Sequence, residues 1–105
     1  MIYAIRIDLR AQRDIDECAD WMSSYSEKFM LAQRDRLDRA FGDAIAQTPE
    51  AWNFFHITGA PYRAYLFRVG RRTSYWVVYL IDEPARRVNV LRFWNASRDP
   101  ASFEV

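Results

Sequence analysis

Three runs near the C-terminus decide the fold of this chain: PYRAYLFRV at residues 61–69, TSYWVVYLID at residues 73–82 and RVNVLRFW at residues 87–94. Each run is rich in aromatic and β-branched residues, which is typical of β-strands. Gly70-Arg71-Arg72 separates the first two runs and Asp82-Glu83-Pro84 separates the last two, and both connections are turn-like. The three runs are therefore predicted to form an antiparallel meander.

The middle run is apolar on both of its faces. Tyr75, Val77, Tyr79 and Ile81 would share one face, and Trp76, Val78 and Leu80 would share the other. This pattern predicts a central strand that is covered on both sides, or a strand whose second face awaits a partner. Either row could be the outer one, since only one of them needs to face the helices.

The N-terminal half predicts one strand and two helices. Residues 2–9 alternate as a half-buried strand, and the period becomes helical from about Ala11, with Ile15, Cys18, Ala19, Met22 and Tyr25 as the buried positions. Ser24 and Glu27 are spaced as a capping box for a second helix. Its apolar stripe is Met30, Leu37, Phe41, Ala44 and Ile45. The element order is then β-α-α-β-β-β, an α+β sandwich with two N-terminal helices on an antiparallel sheet.

Residues 50–61 connect the second helix to the meander. Thr48-Pro49 ends the helix, and the following aromatic residues predict a short extended segment and a loop that pack onto the core. His56 is the single histidine of the chain. In such surroundings a histidine is more often a packed residue than an acid or base.

Composition narrows the classes of protein. The 105 residues predict one domain, 1–105, and half of them are hydrophobic, which is sufficient for a core without metal or disulfide. One histidine and the single Cys18 cannot build a zinc site, and the three glycines are not clustered as in a phosphate-binding loop. We expect no cofactor, no metal and no membrane partner, and a cytoplasmic protein, because no apolar run or signal peptide is evident.

Charge is unevenly distributed along the chain. Residues 1–60 carry seven basic and ten acidic side chains, whereas residues 61–105 carry eight basic and four acidic ones. All eight are arginines, whose planar fork suits phosphate or carboxylate. They predict an anionic partner, either nucleic acid or an acidic protein segment, although any single arginine could simply keep a strand edge soluble.

The meander behind two helices, together with the tail VLRFWNASRD at residues 90–99, resembles the RelE/ParE toxins of type II toxin–antitoxin systems. This resemblance covers nearly the whole chain. It implies a growth-inhibiting toxin, with a role in plasmid stabilisation, that is held inactive in a hetero-oligomer by a cognate antitoxin protein. The target implied is either DNA gyrase or the ribosome with its mRNA. A non-toxic RNA- or protein-binding module on a similar fold is a further alternative.

The ribonuclease branch of this family uses basic and aromatic groups across the sheet. In this sequence, the basic position on the second strand of that branch matches Arg63, and its arginine after the fourth strand matches Arg98. These two arginines would be catalytic only if the protein is a ribonuclease. Its other positions fall on Tyr65, Trp76 and Phe103, and phenylalanine has no hydroxyl. Arginine is a poor general base, because its pKa is above about 12. The resemblance therefore implies a ParE-like inhibitor of DNA gyrase, which is not an enzyme, ahead of a RelE-like endoribonuclease.

We expect target or antitoxin binding from residues of the three C-terminal strands. The candidates are Arg68, Trp76, Arg92, Trp94 and Asn95. An antitoxin segment, or self-association, would cover the outward row of the middle strand, with Arg63, Arg68 and Arg92 pairing to acidic residues. Arg98 would present an anion-binding fork, with Asp99 capping the turn.

Overall fold

Four strands and two main helices form this protein in a computed structural model, which describes residues 2–55 and 61–104. The observed order confirms the predicted β-α-α-β-β-β arrangement. His56 and the rest of the segment 56–60 lie outside the described residues. The elements are β1 (Ala4–Ile7), α1 (Leu9–Ser23), α2 (Glu27–Arg39), β2 (Arg63–Val69), β3 (Thr73–Asp82) and β4 (Arg87–Asn95).

The strands make one sheet in the order β1-β4-β3-β2. The meander β2-β3-β4 is antiparallel, as predicted. β1 differs, because it lies parallel to β4, with Ile5 opposite Val88. The sheet is thus mixed at one edge. A parallel neighbour requires a long connection, and here the two helices and β2 and β3 separate β1 from its partner.

β3 is the central strand of the meander, as its two-sided apolar pattern predicted. It pairs with β2 from Arg63–Tyr79 to Val69–Thr73 and with β4 from Tyr75–Asn95 to Asp82–Arg87. The register against β4 shifts between Val78 and Tyr79. Such a bulge strengthens the local twist of the sheet.

Helix α1 begins at Leu9, two residues before the predicted start. Asp8 has extended dihedral angles (φ −65°, ψ 155°) and occupies the N-cap position. Ile15, Cys18, Ala19 and Met22 are buried as predicted, together with Ala11. The prediction for Tyr25 was wrong, since Tyr25 lies beyond the helix end and is 75% exposed.

The predicted capping box at Ser24 was also wrong. The Ser24 hydroxyl donates to the Trp21 carbonyl oxygen at 2.6 Å, and Ser24 ends α1 in the helical conformation. Ser26 caps α2 instead, because its backbone is extended and its side chain accepts from the Phe29 amide at 3.2 Å. An N-cap requires that extended backbone, which Ser24 lacks.

Helix α2 continues into a wider π-helical segment, Ala40–Ile45. Leu37, Phe41 and Ile45 are buried as predicted, Met30 is partly buried against the same core, and Ala44 is half-buried. The Ala44 carbonyl accepts from the Trp52 indole at 3.2 Å, which anchors the connection to β2. Within residues 2–55 and 61–104 we find no helix with the length and apolar character that a bilayer span requires.

The helices cover one face of the sheet. Val77, Tyr79, Val88, Val90 and Phe93 line that face and pack against α1 and α2. The Tyr79 hydroxyl donates to the Pro49 carbonyl at 2.6 Å, so its polar atom is satisfied inside this core. The tyrosine-bearing row of β3 is therefore the inner one, and the row of Trp76, Val78 and Leu80 is the outer one.

Candidate functional site

The outer row of β3 is covered in part by the chain itself. Val78 is fully buried in a second small core with Phe55 and Ala64. Phe103, from the C-terminal tail, lies 4.9 Å from Phe55 between ring centroids. The expectation that a partner would cover this whole row was therefore wrong for Val78, which the chain itself covers, and Trp76 and Leu80 are half-buried.

The covered row leaves an open groove beside it. A cavity of about 480 Å3 lies between the segment before β2 and the outer face of the sheet. Leu66 and Trp76 stand directly opposite each other on β2 and β3 at its floor. Its remaining lining is Trp52, Asn53, Phe54, Phe55 and Ala64. We call this cavity the outer groove.

Arg92 holds the C-terminal tail and α1 against the sheet. Its guanidinium donates to the Asp14 carboxylate at 2.7 and 3.1 Å and to the Glu104 carbonyl at 2.6 Å. Asp14 also accepts from the Phe93 amide at 3.0 Å. Arg92 is only 7% exposed, so its present contacts are internal, and its binding role stays a prediction.

Arg63 is likewise engaged within the chain. Its guanidinium donates to the carbonyl oxygens of Glu50 at 3.1 Å and Trp52 at 2.7 Å, and it lies 4.2 Å above the Phe54 ring centroid. Tyr65 points to the helical side of the sheet, where its ring meets the Trp52 ring edge-on at 4.7 Å. These contacts hold residues 50–54 against the start of β2.

Arg98 lies at the surface just after β4. Its guanidinium stacks 4.7 Å above the Trp94 ring, and its amide donates to the Asn95 carbonyl at 3.1 Å. The Asp99 carboxylate accepts from the Ala101 amide at 3.0 Å, which confirms the predicted cap. The Asn95 side chain accepts from the Ser97 amide at 2.9 Å and shapes the same turn.

Two groups of candidate residues emerge. Trp94, Asn95 and Arg98 lie together at one end of β4, and Trp76 pairs with Trp94 across the sheet. Arg63 is far from them, because it pairs with Tyr79 whereas Asn95 pairs with Tyr75. Four residues of strand span roughly 13 Å. The two arginines that match the ribonuclease pattern are therefore not neighbours.

Two titratable groups near Arg98, the Tyr75 phenol and the Cys18 thiol, are stabilised in their neutral forms. Burial raises the pKa of the Tyr75 phenol, and its hydrogen bond with Cys18 acts in the same direction. Burial also raises the pKa of the Cys18 thiol. The Tyr75 ring stacks on Phe93 with centroids 4.4 Å apart. Tyr75 and Cys18 thus serve packing better than proton transfer.

Sequence reasoning missed the residues that fasten the tail. From the sequence no role was predicted for Asp14, and Phe103 was named only as a residue without a hydroxyl. Both make contacts with residues distant in sequence or across a turn, so no local pattern signals them.

Comparison with known proteins gives a family and a fold. A model of the ParE toxins of type II toxin–antitoxin systems, parDE, matches residues 5–100. The toxin–antitoxin complex RelBE2 from Mycobacterium tuberculosis contains a chain with a similar fold, at a TM-score of 0.58 and 22% identity, covering 90% of this chain and 99% of that one. No curated protein sequence matches.

Proposed function

The chain belongs to the family of ParE toxins of type II toxin–antitoxin systems, and we propose that this toxin inhibits DNA gyrase by trapping it on DNA, rather than cleaving RNA. One observation carries the proposal. Of the groups that match the ribonuclease pattern, only Arg98 presents its charge at the surface, while Arg63 is bound to backbone carbonyls. Such an arrangement supports binding of an anion more than acid–base chemistry.

RNA cleavage by the 2′-hydroxyl requires a group that removes a proton and a group that donates one. The cavity beside Arg98 is lined by Tyr75 and Asn95 and also by the carboxylates of Asp14 and Glu17. Asp14 is already bound by the Arg92 guanidinium and the Phe93 amide, and the exposed Glu17 is not one of the groups of the ribonuclease pattern. Tyr75 remains protonated near neutral pH, because burial raises its pKa. Trp76 and Phe103 stand where polar groups would be required, and both pack in the second core.

A cognate antitoxin is the second partner that we propose. The similar fold from Mycobacterium tuberculosis occurs in a toxin–antitoxin complex, and the outer groove offers an apolar surface of the kind that protein segments bind. Phe54 at its rim is 48% exposed. The antitoxin would keep the toxin inactive until it is removed.

Gyrase trapping is the first test. Purified toxin, gyrase, ATP and supercoiled plasmid are incubated, and cleaved plasmid is measured after denaturation of gyrase. We expect wild-type toxin to accumulate cleaved DNA, and Arg98→Ala to reduce the yield about tenfold or more, as for the loss of a hydrogen bond to a charged group. Arg13→Ala, an exposed change on α1, is the charge-matched control. Full trapping by a folded Arg98→Ala protein would remove Arg98 from the site.

Ribosome-dependent cleavage is the second test. In a purified translation system, we expect mRNA on ribosomes to remain intact at toxin concentrations that arrest gyrase. The absence of a positioned proton-transfer group typically lowers a rate by about 10²- to 10⁴-fold. Primer extension on the mRNA is the measurement. Efficient codon-dependent cleavage would overturn the gyrase proposal and point to Tyr65 or His56 as the acid or base.

A further inference from the structure

The arginines of the C-terminal half divide into two groups by their contacts. Four guanidinium groups are engaged within the chain, those of Arg63, Arg86, Arg87 and Arg92. The other four belong to Arg68, Arg71, Arg72 and Arg98. Throughout residues 2–55 and 61–104, no carboxylate lies within ion-pair distance of these four.

The four arginines without an ion pair, Arg68, Arg71, Arg72 and Arg98, lie at one end of the sheet. Arg68 pairs with Ser74 across β2 and β3, and the Ser74 carbonyl accepts from the Ala96 amide at 2.8 Å. Arg68, Ser74 and Ala96 thus form a row across three chain segments, which spans roughly 10 Å. Arg71 and Arg72 extend beyond this row in the β2–β3 turn, where Gly70 adopts a positive φ of 68°. Arg98 follows Ala96 by two residues.

The end of α2 adds to this cluster. Arg36 donates to the Arg68 carbonyl at 2.9 Å and lies 5.0 Å from the Phe67 ring centroid. A groove of about 670 Å3 separates this part of α2 from β2 and contains Arg36, Arg39 and Arg68, with Asp43 as its acidic residue. Arg39 is bound to Asp35 in solvent. We define the turn-end arginines as Arg36, Arg68, Arg71, Arg72 and Arg98.

We propose that the turn-end arginines bind the phosphodiester backbone of the duplex DNA that gyrase holds. This inference rests on the proposed function and adds a second contact to it: the toxin would touch the DNA as well as the enzyme. The row of Arg68, Ser74 and Ala96 separates Arg68 from the segment of Arg98 by roughly 10 Å, and the phosphates of one DNA strand follow each other every 3.4 Å along the helix axis, so the cluster is wide enough to reach about three of them. Guanidinium groups bind phosphate oxygens with two parallel hydrogen bonds.

The chemistry of the surface favours nucleic acid over an acidic protein segment. Protein interfaces have an apolar or aromatic centre with a polar rim, whereas protein–DNA interfaces are more polar and positively charged. The turn Gly70-Arg71-Arg72 contributes no apolar side chain, and Arg68 is exposed. A concave apolar surface lies elsewhere, in the outer groove. Binding would also break no internal ion pair of Arg68, Arg71, Arg72 or Arg98.

Fluorescence anisotropy with a labelled DNA duplex tests the inference without gyrase. We compare wild-type toxin, the double variant Arg71→Ala/Arg72→Ala, and the double variant Arg10→Ala/Arg13→Ala as a charge-matched control on exposed positions of α1. The slope of log affinity against log salt measures the number of phosphate contacts, at about 0.9 for each. We expect the turn variant to lower this slope by about two and to weaken binding about tenfold at low salt. The control should leave both unchanged.

Equal effects of the two double variants would overturn the inference, because they would report net charge alone. An unchanged salt slope in the turn variant would do the same. Duplex RNA bound about tenfold more tightly than DNA would overturn the assignment to DNA. Gyrase trapping, measured in parallel, separates the two proposals. Trapping without salt-dependent DNA binding refutes only the present inference, and turn-dependent DNA binding without trapping refutes only the proposed function.

Discussion

Replacing Asp14 with alanine is expected to lower the free energy of unfolding by about 3–5 kcal/mol, the usual cost of removing one partner of a buried ion pair. Asp14 is bound by the Arg92 guanidinium at 2.7 Å, and the two side chains are 14% and 8% exposed. The substitution would leave the Arg92 charge buried without its partner. It would also leave the Phe93 amide, which donates to Asp14, without an acceptor at the edge of β4.

Urea unfolding followed by circular dichroism measures this effect. Asp35→Ala is the matched control, because it breaks an ion pair with Arg39 whose side chains are 70% and 64% exposed. Exposed pairs typically contribute about 1 kcal/mol or less. Asp14→Asn, which keeps an oxygen acceptor for the Phe93 amide, provides a milder variant if Asp14→Ala does not fold. If Asp14→Asn and Asp35→Ala lower the free energy of unfolding by the same amount, the buried ion pair contributes no more to stability than an exposed one.

The meander could be predicted because its signals are local. The turn at Gly70 and the alternation of β3 depend on residues close together in the chain, and both were found where expected. The parallel pairing of β1 with β4 could not be predicted in this way. It joins segments more than eighty residues apart, such as Ala4 and Arg87, and the alternation of β1 is equally compatible with either direction.

The predicted start of α2 depended on which of two serines was taken as its N-cap. Ser24 and Ser26 are both good N-cap residues, and the spacing from Ser24 to Glu27 favoured the first. The structure shows Ser26 as the N-cap, because the Ser24 hydroxyl donates to the Trp21 carbonyl at the end of α1. The local hydrogen bonding at the end of α1 therefore fixed where α2 could begin.

The candidate site was predictable only at the level of residue type. Sequence spacing and the family resemblance selected Arg63, Arg92 and Arg98 together, since all three are arginines of the sheet and its tail. The structure separates them by their contacts: carbonyl oxygens for Arg63, a carboxylate for Arg92, and the ring of the buried Trp94 for the exposed Arg98. Their partners Trp52 and Asp14 lie far away in sequence, so no motif could indicate this division.

Truncation of the outer groove is expected to weaken antitoxin binding by a few kcal/mol, equivalent to roughly 30-fold or more in Kd. Leu66 and Trp76 face each other at the floor of this groove on neighbouring strands. Tryptophan in such a position is a common hot-spot residue, because its large apolar surface is removed from water when a partner binds. We therefore predict that Leu66→Ser/Trp76→Ser binds the cognate antitoxin much more weakly than the wild-type protein does.

Titration calorimetry with the purified antitoxin measures the effect, and Leu9→Ser/Leu31→Ser is the matched control. Leu9 and Leu31 are 65% and 56% exposed on the helices, so their loss removes comparable apolar surface outside the groove. Trp76 also contacts Phe55 at 6.1 Å between ring centroids, and its truncation will lower stability as well as affinity. Leu66→Ser alone, measured where circular dichroism shows full folding, separates the two effects. If Leu66→Ser and the double variant both retain wild-type affinity, the antitoxin binds elsewhere. The groove is then only the space between residues 52–55 and the sheet.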